Sequence, residues 1–260
     1  MKQALLYVDE LSVRYRVAGA TVEAVRAVSL AIQPGKVLGL AGESGSGKSS
    51  LARAVVGLEP IAAGSIQFDG KPLPAMPAAR TRELRRRIQI VFQDPYSSVN
   101  PRMTAGEIVA EPLQIHSPQM SRQARMIKVN EILCAVGLDA QAAQRYPHEF
   151  SGGQCQRIAI ARALVLQPEL LVCDEPVSAL DVSVQAQIIN LLLELKHSMN
   201  LAMLFISHDL CILRHVSDEV AVMYQGEIVD FAETDKLFAS PSHAYSKKLL
   251  AAIPQLPSYN

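Results

Sequence analysis

A glycine-rich stretch of eight residues limits what this chain can fold into more than any other feature. Residues 42–49 have the sequence Gly-Glu-Ser-Gly-Ser-Gly-Lys-Ser, between a strand-like run, Val37–Ala41, and a run of helical composition, Ser49–Val56, which Gly57 closes. Glycines let the backbone curl so that successive N–H groups point inward, and the helix N-terminus adds roughly half a positive charge. The pattern therefore predicts a phosphate-binding loop between a strand and a helix.

Two side chains of this loop indicate how it would hold a nucleotide. We expect Lys48 to reach the β- and γ-phosphates and the Ser49 hydroxyl to ligate Mg²⁺. A glycine-rich turn without a ligand is the alternative, and the flanking strand and helix argue against it. The residues that we expect to bind the nucleotide are Gly42, Glu43, Ser44, Gly45, Ser46, Gly47, Lys48, Ser49 and Ser50.

A second strand-like run, Leu170–Cys173, ends in the carboxylates Asp174 and Glu175. Charges at the rim of an apolar core are costly unless they are paired, and Mg²⁺ would be a suitable partner for Asp174. Glu175 is then placed to orient or deprotonate the water that attacks the γ-phosphate. Many strands end in Asp-Glu before a turn, but together with the loop the pattern predicts a P-loop NTPase.

A second helix start suited to anions follows Phe150, in the sequence Ser151-Gly152-Gly153-Gln154. Ser151 is a good N-cap, and the two glycines let a phosphate approach the backbone closely. The first loop already holds the nucleotide of its own subunit, so this helix has no evident ligand there. A head-to-tail dimer would give it one, the nucleotide of the partner subunit. An ordinary capped helix is the alternative.

Strand-like and helical runs alternate along the chain, which predicts a mostly parallel sheet covered by helices. Further apolar runs of strand length are Ile88–Phe92, Leu201–Ile206 and Glu219–Met223. Turn-forming residues after Gln93 precede a helix that ends near Gly137, and we interpret this region as a helical insertion. The apolar face of this helix comprises Met126, Val129, Ile132, Leu133 and Val136. After about residue 230 we expect short helices and a Pro-containing tail.

Composition and charge exclude several classes of function. Lys+Arg and Asp+Glu number 25 each, so no global positive field draws the chain to nucleic acid. We interpret the basic run Arg80–Arg87 as a solvated helix face rather than a phosphate site. The four cysteines lack metal-site spacing, and three lie where buried thiols are expected. The most apolar segment, Ile158–Cys173, is too short and polar to span a membrane, so a cytosolic chain is predicted.

The order of these motifs resembles that of ABC transporter ATPases, and Ser151-Gly152-Gly153-Gln154 resembles their signature motif. Gln93 resembles the Q-loop glutamine, which touches Mg²⁺ and the lytic water. Ser178-Ala179-Leu180-Asp181 resembles the D-loop, which crosses the dimer interface, so Asp181 is a candidate there. His208 resembles the switch histidine near the γ-phosphate. Tyr15 resembles the aromatic residue that stacks on adenine, although a tyrosine packed on the sheet is a serious alternative.

Two further stretches resemble the dipeptide, oligopeptide and nickel importer branch of this family. They are Phe92–Arg102 and Ser242–Leu250, in which Val99 and Ala244 replace the usual Leu and Pro. Many relatives carry a cysteine-rich tail in one of two paired subunits. This sequence ends at Asn260 without one and so resembles the shorter partner. We expect the turns around Tyr96 and Val99 to couple the nucleotide to membrane subunits.

The resemblance implies a single domain over residues 1–260 with a RecA-like P-loop NTPase core. The core would comprise residues 1–93, with an N-terminal antiparallel β portion, and 151–230. Residues 94–150 would form the helical subdomain and residues 231–260 a short helical extension. Catalysis would use Glu175, His208 and Gln93; Mg²⁺ would be held by Ser49, Gln93 and Asp174.

The resemblance also implies an ATPase, with ATP and Mg²⁺ as cofactors, at the cytoplasmic face of the inner membrane. Its partners would be two transmembrane permeases, a second and longer ATPase chain and, indirectly, an extracytoplasmic binding protein, but no nucleic acid. We expect a peptide as cargo and nickel or a nickel chelate as the alternative. A soluble ABC protein acting on nucleic acid or ribosomes is a remote alternative, because those usually carry tandem domains or a coiled-coil insertion. The Q-loop sequence disfavours an exporter.

Overall fold

The computed structural model describes residues 4–17, 20–73 and 78–252. The chain divides into two compact units. Unit one comprises Met1–Pro74 and Leu204–Asn260, and unit two comprises Ala75–Met203. The Pro-containing tail that we predicted lies outside the described residues, after residue 252.

The strands and helices of the described residues are numbered here in chain order. The strands are β1 (Leu6–Val17), β2 (Ala20–Ile32), β3 (Val37–Ala41), β4 (Ala63–Phe68), β5 (Lys71–Pro72), β6 (Ile88–Val91), β7 (Leu170–Asp174), β8 (Ala202–Ile206), β9 (Glu219–Tyr224) and β10 (Glu227–Glu233). The α-helices are α1 (Lys48–Val55), α2 (Ala78–Arg87), α3 (Ala105–His116), α4 (Arg122–Ala135), α5 (Gly152–Leu164), α6 (Val182–Met199), α7 (Leu210–Val216), α8 (Thr234–Ala239) and α9 (Ala244–Ala251).

Unit one contains an antiparallel sheet with the strand order β2–β1–β4–β5. Along the second half of β2, Val28, Leu30 and Ile32 are buried and alternate with more exposed residues. This period of two is typical of a strand with one face in the core. The antiparallel N-terminal portion is therefore present as predicted.

A second sheet of unit one has the strand order β10–β9–β3–β8. Strands β3 and β9 are parallel, and β9 and β10 are antiparallel. Every residue of β3 and of β8 is buried, as expected for continuous apolar strands that are covered on both faces. The bounds of β3 agree with the prediction, and those of β8 and β9 differ from it by one residue.

Strand β10 was not predicted, and the helical extension that we expected from residue 231 begins at Thr234. The left-handed Gly226, with φ of 90°, lets the chain turn back against β9. Every residue of β10 is exposed or half-buried. An edge strand of this kind has no continuous apolar run, and so its sequence lacked the signal that identified β3.

In unit two, β6 and β7 are parallel and Ile88 lies opposite Leu170. The beginning of β8 continues the order β6–β7–β8, and the N–H of Ala202 donates to the carbonyl of Glu169. The unit also contains α2 to α6 and two short 3₁₀ segments, Ala140–Gln144 and Pro147–Glu149.

Helices α3 and α4 lie in the region where we predicted a helical insertion. Thr104 and Glu107 form a capping box at the start of α3, and Ser121 caps α4. The predicted apolar face of α4 is correct. Val129, Leu133 and the C-cap residue Val136 are buried, and Met126 and Ile132 are half-buried.

Surface residues confirm one prediction in part and correct another. Arg82, Arg85 and Arg86 are exposed on α2, as expected for a solvated helix face, whereas Arg87 is half-buried and paired with Glu169. The side chain of Arg80 lies outside the part of the chain that is described. Cys155 and Cys173 are buried, but Cys134 and Cys211 are exposed, so the prediction of three core thiols was wrong. Cys134 lies beside Leu133, on the side of α4 that is not buried.

In the described part of the chain, no helix has the length and apolar character that a membrane span requires.

Candidate functional site

The glycine-rich loop of unit one has the backbone that its sequence predicted. Gly42, Gly45 and Gly47 all have positive φ, at 149°, 80° and 107°. A Cβ atom on Gly42 would lie 2.3 Å from the carbonyl oxygen of Met223, and one on Gly47 would lie 2.1 Å from that of Ala24. Gly42 and Gly47 are therefore required both for their conformation and for close packing against neighbouring strands.

Lys48 begins α1, and its side chain folds back into the loop. The Nζ atom donates to the carbonyl oxygens of Gly42 and Glu43, at 2.8 Å each. Lys48 is only 4% exposed, whereas Ser49 is exposed. The positive charge is thus held inside the curled backbone, and the Ser49 side chain lies at the surface, where a ligand could approach it.

Neighbouring elements of unit one hold this loop at two positions. The Gly226 N–H donates to the Ser46 carbonyl oxygen at 3.0 Å, from the turn between β9 and β10. The Glu43 N–H donates to the phenol oxygen of Tyr245, on α9, at 3.1 Å. The predicted phosphate loop is therefore tied to the hairpin and to the last described helix.

Tyr15 lies on β1, in the same unit as the loop. It is half-buried and lies opposite Val22 on β2. Ala24, further along β2, is the residue whose carbonyl oxygen approaches Gly47. The strand paired with Tyr15 thus borders the loop, and the role of Tyr15 in adenine stacking stays a prediction.

His208 is exposed in the turn that joins β8 to α7. The residue before it, Ser207, donates its N–H to the carbonyl oxygen of Leu40 at 3.3 Å. Leu40 lies near the end of β3, immediately before the phosphate loop. Asp209 caps α7 by accepting from the N–H groups of Cys211 and Ile212. His208 and the loop therefore follow the ends of neighbouring strands in unit one.

In unit two, the ends of β6 and β7 carry three of the predicted catalytic and metal-binding residues. Val91 lies opposite Cys173, so Gln93 and Glu175 each follow the end of one of these two parallel strands. Asp174 is 5% exposed, Glu175 is half-buried and Gln93 is exposed. The structure thus brings Gln93, Asp174 and Glu175 to one edge of this unit's strands.

Glu175 has a left-handed backbone, with φ of 49°. This conformation is uncommon for residues other than glycine and costs of the order of 1 kcal/mol or more. Ser178 stabilises the turn, since its N–H and its hydroxyl both donate to the Glu175 carbonyl oxygen, at 3.3 and 3.1 Å. Six other non-glycine residues described here also have a positive φ, so the role of Glu175 rests on its position after β7 and not on this conformation.

Ser151 caps α5 through a reciprocal pair of hydrogen bonds. Its hydroxyl accepts from the Gln154 N–H at 3.4 Å, and the Gln154 side chain accepts from the Ser151 N–H at 3.1 Å. Ser151 is exposed, and Gly152 and Gly153 are half-buried. The start of α5 is therefore ordered by its own residues and lies at the surface of unit two.

The glycines after Ser151 also have a role within the subunit that the sequence did not reveal. A Cβ atom on Gly153 would lie 2.4 Å from Cγ1 of Val184. Val184 belongs to α6, whose N-cap residue is the exposed Asp181. The segment predicted as the signature motif therefore packs against the helix that follows the predicted D-loop.

The segment after Gln93 forms hydrogen-bonded turns. Asp94 accepts from the Tyr96 N–H at 2.9 Å, and the Tyr96 hydroxyl donates to the Phe150 carbonyl oxygen at 3.2 Å. Tyr96 is 48% exposed, whereas Val99 is only 8% exposed. Tyr96 is therefore accessible to a membrane subunit, as its predicted coupling role requires. Val99 packs into the interior and could act only through the fold of the turns.

Sequence reasoning missed Tyr245 as a neighbour of the phosphate loop and Tyr224 as the residue that stacks on it. Their rings stack, with centroids 4.2 Å apart. Residues 242–250 were singled out for their resemblance to one importer branch, but no local pattern indicated a contact with residues so distant in sequence.

The chain is similar to a family model and to known proteins. The family model described as ABC transporter matches residues 25–178. The chain is 51% identical over 234 residues to the oligopeptide transport ATP-binding protein OppF of Salmonella typhimurium, covering 90% of this chain and 70% of that protein. It is 47% identical over 262 residues to OppF of Escherichia coli, covering 97% of this chain and 78% of that protein.

Solved structures give the same result for the fold. The ATP-binding cassette MJ0796, in a dimeric post-hydrolysis state bound to ADP and phosphate, matches with a TM-score of 0.80 at 28% identity. The match covers 88% of this chain and 98% of that one. These findings confirm the predicted P-loop NTPase fold and the resemblance noted from the motifs. The chain therefore belongs to the ABC transporter family and carries an ATP-hydrolysing domain of that family.

Proposed function

We propose that this chain is the ATPase subunit that powers a peptide importer. The observation that carries the proposal is the sequence identity to oligopeptide transport ATP-binding proteins, at 51% over 90% of the chain for the Salmonella protein. The stretch Phe92–Arg102 and the segment around Tyr245, both predicted from their resemblance to this branch, give further support. A nickel importer is the second candidate from the sequence, and the names of these relatives favour the peptide.

The phosphate loop would bind the triphosphate of ATP through its backbone N–H groups and Lys48. The enclosed ammonium group of Lys48 would move from the carbonyl oxygens of Gly42 and Glu43 to the phosphates. Tyr15 would stack on the adenine, and His208 would contact the γ-phosphate. Glu175 would orient or deprotonate the attacking water.

The predicted magnesium ligands have the chemistry that this ion prefers. Ser49, Asp174 and Gln93 offer a hydroxyl, a carboxylate and an amide oxygen, and Mg²⁺ is held in nucleotide sites by few protein oxygens together with phosphates and waters. No cluster of three or more His, Cys, Asp or Glu suited to a metal occurs among the described residues. Such a cluster is not required when the nucleotide supplies most of the ligands. The ion would neutralise charge developing on the phosphates.

A dimer with composite sites would explain the exposed capped helix at Ser151. Each nucleotide on a phosphate loop would also contact residues 151–154 of the other subunit, and Asp181 would lie near the interface. The dimeric state described for MJ0796 supports this arrangement. We propose a second, longer ATPase chain as the natural partner in the assembled transporter.

Membrane attachment would be through partners, at the cytoplasmic face of the membrane. We propose that residues 1–93 and 151–230 form the catalytic core, that 94–150 form the subdomain that contacts two permease subunits, and that 231–260 form an extension. The turns after Gln93 would transmit the state of the nucleotide to the permeases. An extracytoplasmic binding protein would deliver the solute, and nucleic acid would have no part.

The test is purification of the transporter from its native membrane through a tag on this chain. We expect two permeases and a second ATPase chain to accompany it, and peptide plus the cognate binding protein to stimulate ATP hydrolysis in proteoliposomes. Stimulation by a nickel complex but not by peptides would contradict the peptide assignment. Recovery of this chain as the sole ATPase of an active complex would contradict the proposed second chain.

A further inference from the structure

Helix α9 contacts the phosphate loop through the side chain of Tyr245. The phenol oxygen of Tyr245 accepts a hydrogen bond from the Glu43 N–H at 3.1 Å, across 202 positions of sequence. Tyr245 is 9% exposed, and burial is the largest of the effects that raise the pKa of its hydroxyl. The phenol is therefore neutral near pH 7 and acts here as a hydrogen-bond acceptor.

The ring of Tyr245 is held in place from one side by Tyr224. The two rings stack with centroids 4.2 Å apart and planes inclined by 30°. Tyr224 ends β9, and Gly226, two residues later, donates its N–H to the Ser46 carbonyl oxygen at 3.0 Å. The same hairpin thus supports the loop directly at Ser46 and indirectly, through Tyr245, at Glu43.

The beginning of α9 is fixed independently by Asp230 on β10. Its carboxylate accepts from the N–H and the hydroxyl of Ser242, at 2.8 Å each, and from the His243 N–H at 3.0 Å. The Nδ1 atom of His243 in turn accepts from the Tyr245 N–H at 3.1 Å. Burial raises the pKa of Asp230, but these hydrogen bonds outweigh it, and the pKa is lowered overall.

We propose that Tyr245 is a positioning residue of the nucleotide site: it fixes the first turn of the phosphate loop and so pre-orders the N–H groups that receive the phosphates. The proposal rests on the proposed assignment of residues 42–49 to the nucleotide. Glu43 is the exposed second residue of the loop, and the space beside Gly45 is open, since a Cβ atom there would have no neighbour within 4 Å. Without the tie at Glu43, this part of the loop would have to be ordered by the nucleotide itself, at a cost in affinity.

The test compares Tyr245→Phe with the matched variant Tyr224→Phe in the full chain. Each loses one hydroxyl oxygen from the same ring stack, but the Tyr224 hydroxyl accepts only from the adjacent Gln225 side chain among the hydrogen bonds described. We expect Tyr245→Phe to raise the Kd and KM for MgATP about three- to tenfold, as for one lost neutral hydrogen bond, with kcat changed less than about twofold. Tyr224→Phe should leave these constants unchanged.

A second variant tests the same hydrogen bond between Tyr245 and Glu43 by releasing the helix that carries Tyr245. Asp230→Ala keeps the Tyr245 hydroxyl but releases the beginning of α9, and it should also raise KM more than it lowers kcat. The thermal midpoint of each variant is measured without nucleotide. A variant that loses only the support of the loop should keep its thermal midpoint, whereas a generally destabilised variant should not. An unchanged KM in Tyr245→Phe, or an equal rise in Tyr224→Phe, would overturn the proposal.

Lys48→Ala distinguishes failure of this inference from failure of the proposed site. If Lys48→Ala loses nucleotide binding while Tyr245→Phe binds normally, the positioning role is wrong and the site assignment stands. If Lys48→Ala binds MgATP as the unmodified chain does, the assignment of residues 42–49 is wrong, and the proposal about Tyr245 is wrong with it.

Discussion

The hydroxyl of Tyr96 donates a hydrogen bond to the carbonyl oxygen of Phe150, with 3.2 Å between the two oxygens. Tyr96 lies in the turns after Gln93, and Phe150 immediately precedes Ser151. This hydrogen bond therefore joins the segment proposed to sense the nucleotide of its own subunit to the start of the helix proposed to contact that of the partner. If either segment moves, the other must move with it or the hydrogen bond must break.

We expect Tyr96→Phe to reduce the stimulation of ATP hydrolysis by the assembled transporter more than it reduces basal ATP hydrolysis. Loss of the hydroxyl removes the hydrogen bond to Phe150, worth about 1 kcal/mol, together with the contact of the hydroxyl with the Cys155 thiol, and leaves the ring in place. Basal hydrolysis should stay within about twofold, while stimulation by the assembled transporter should fall several-fold. Tyr7→Phe, which alters another exposed tyrosine, is the control. An equal fall in basal and stimulated rates would assign Tyr96 a catalytic or structural role instead.

Lys48→Ala should weaken MgATP binding roughly ten- to a hundredfold, because it deletes a charge-assisted contact of about 1.5–3 kcal/mol. Isothermal titration of the purified chain measures this effect. Lys36→Ala is the matched control, since it removes an exposed ammonium group of the same unit, which is paired with Asp218 at 2.7 Å. Similar affinities for the two variants would exclude Lys48 from the site.

The composite-site proposal predicts partial recovery of activity when two inactive chains are mixed. A Lys48→Ala subunit paired with a Ser151→Arg subunit places both lesions in one site and leaves the other site intact. ATP hydrolysis by the mixed dimer should then exceed that of either variant alone. If the natural partner is a different ATPase, the two lesions belong on the two different chains. No recovery in a mixture shown to contain mixed dimers would argue against shared sites.

Gly153→Ala should destabilise the chain by about 1–3 kcal/mol, because its Cβ would lie 2.4 Å from Val184 Cγ1. The double variant Gly153→Ala/Val184→Ala should recover most of the lost thermal midpoint. Gly152→Ala is the control, since its Cβ would lie 3.4 Å from Leu180, at an ordinary contact distance. Equal losses in the two single variants, without recovery in the double one, would show that the close approach does not matter.

Acidification should destabilise the fold through His116, at the end of α3. Burial first, and then Arg82, Arg86 and Arg85, lower the pKa of its imidazole below the usual 6.5. The unfolded chain then binds a proton at a higher pH than the folded chain, so stability is lost as the pH falls through about 6.5. His116→Gln should therefore lose less thermal stability between about pH 7.5 and 5.5 than the unmodified chain does. An identical loss would contradict this assignment.

The parts of the fold and site that could be predicted from the sequence are those with local signals. The phosphate loop and the strands β3 and β7 are continuous patterns, in which apolar runs, glycines and acids lie next to one another. Strand β10 gave no such signal because it is a mixed, half-exposed edge strand. The contact of Tyr245 with Glu43 depends on tertiary packing over 202 positions, which periodicity does not encode.

Gly153 shows that a residue singled out by a motif can have a second role that the motif does not reveal. The sequence indicated that glycine there would let a phosphate approach, and the structure adds a close contact with Val184. The positive φ of Glu175 is a similar case, because a glutamate gives no sign of it in advance. Both features depend on the elements packed around them.

The most direct test of the proposed ATPase mechanism is the rate of ATP hydrolysis by the Glu175→Gln variant in the purified transporter. The amide keeps the size and position of the side chain but cannot accept the proton of the attacking water. We expect hydrolysis to fall by about two to four orders of magnitude while MgATP binding is retained, with the ATP-bound dimer accumulating. Turnover close to that of the unmodified transporter would contradict the role proposed for Glu175 and, with it, the mechanism.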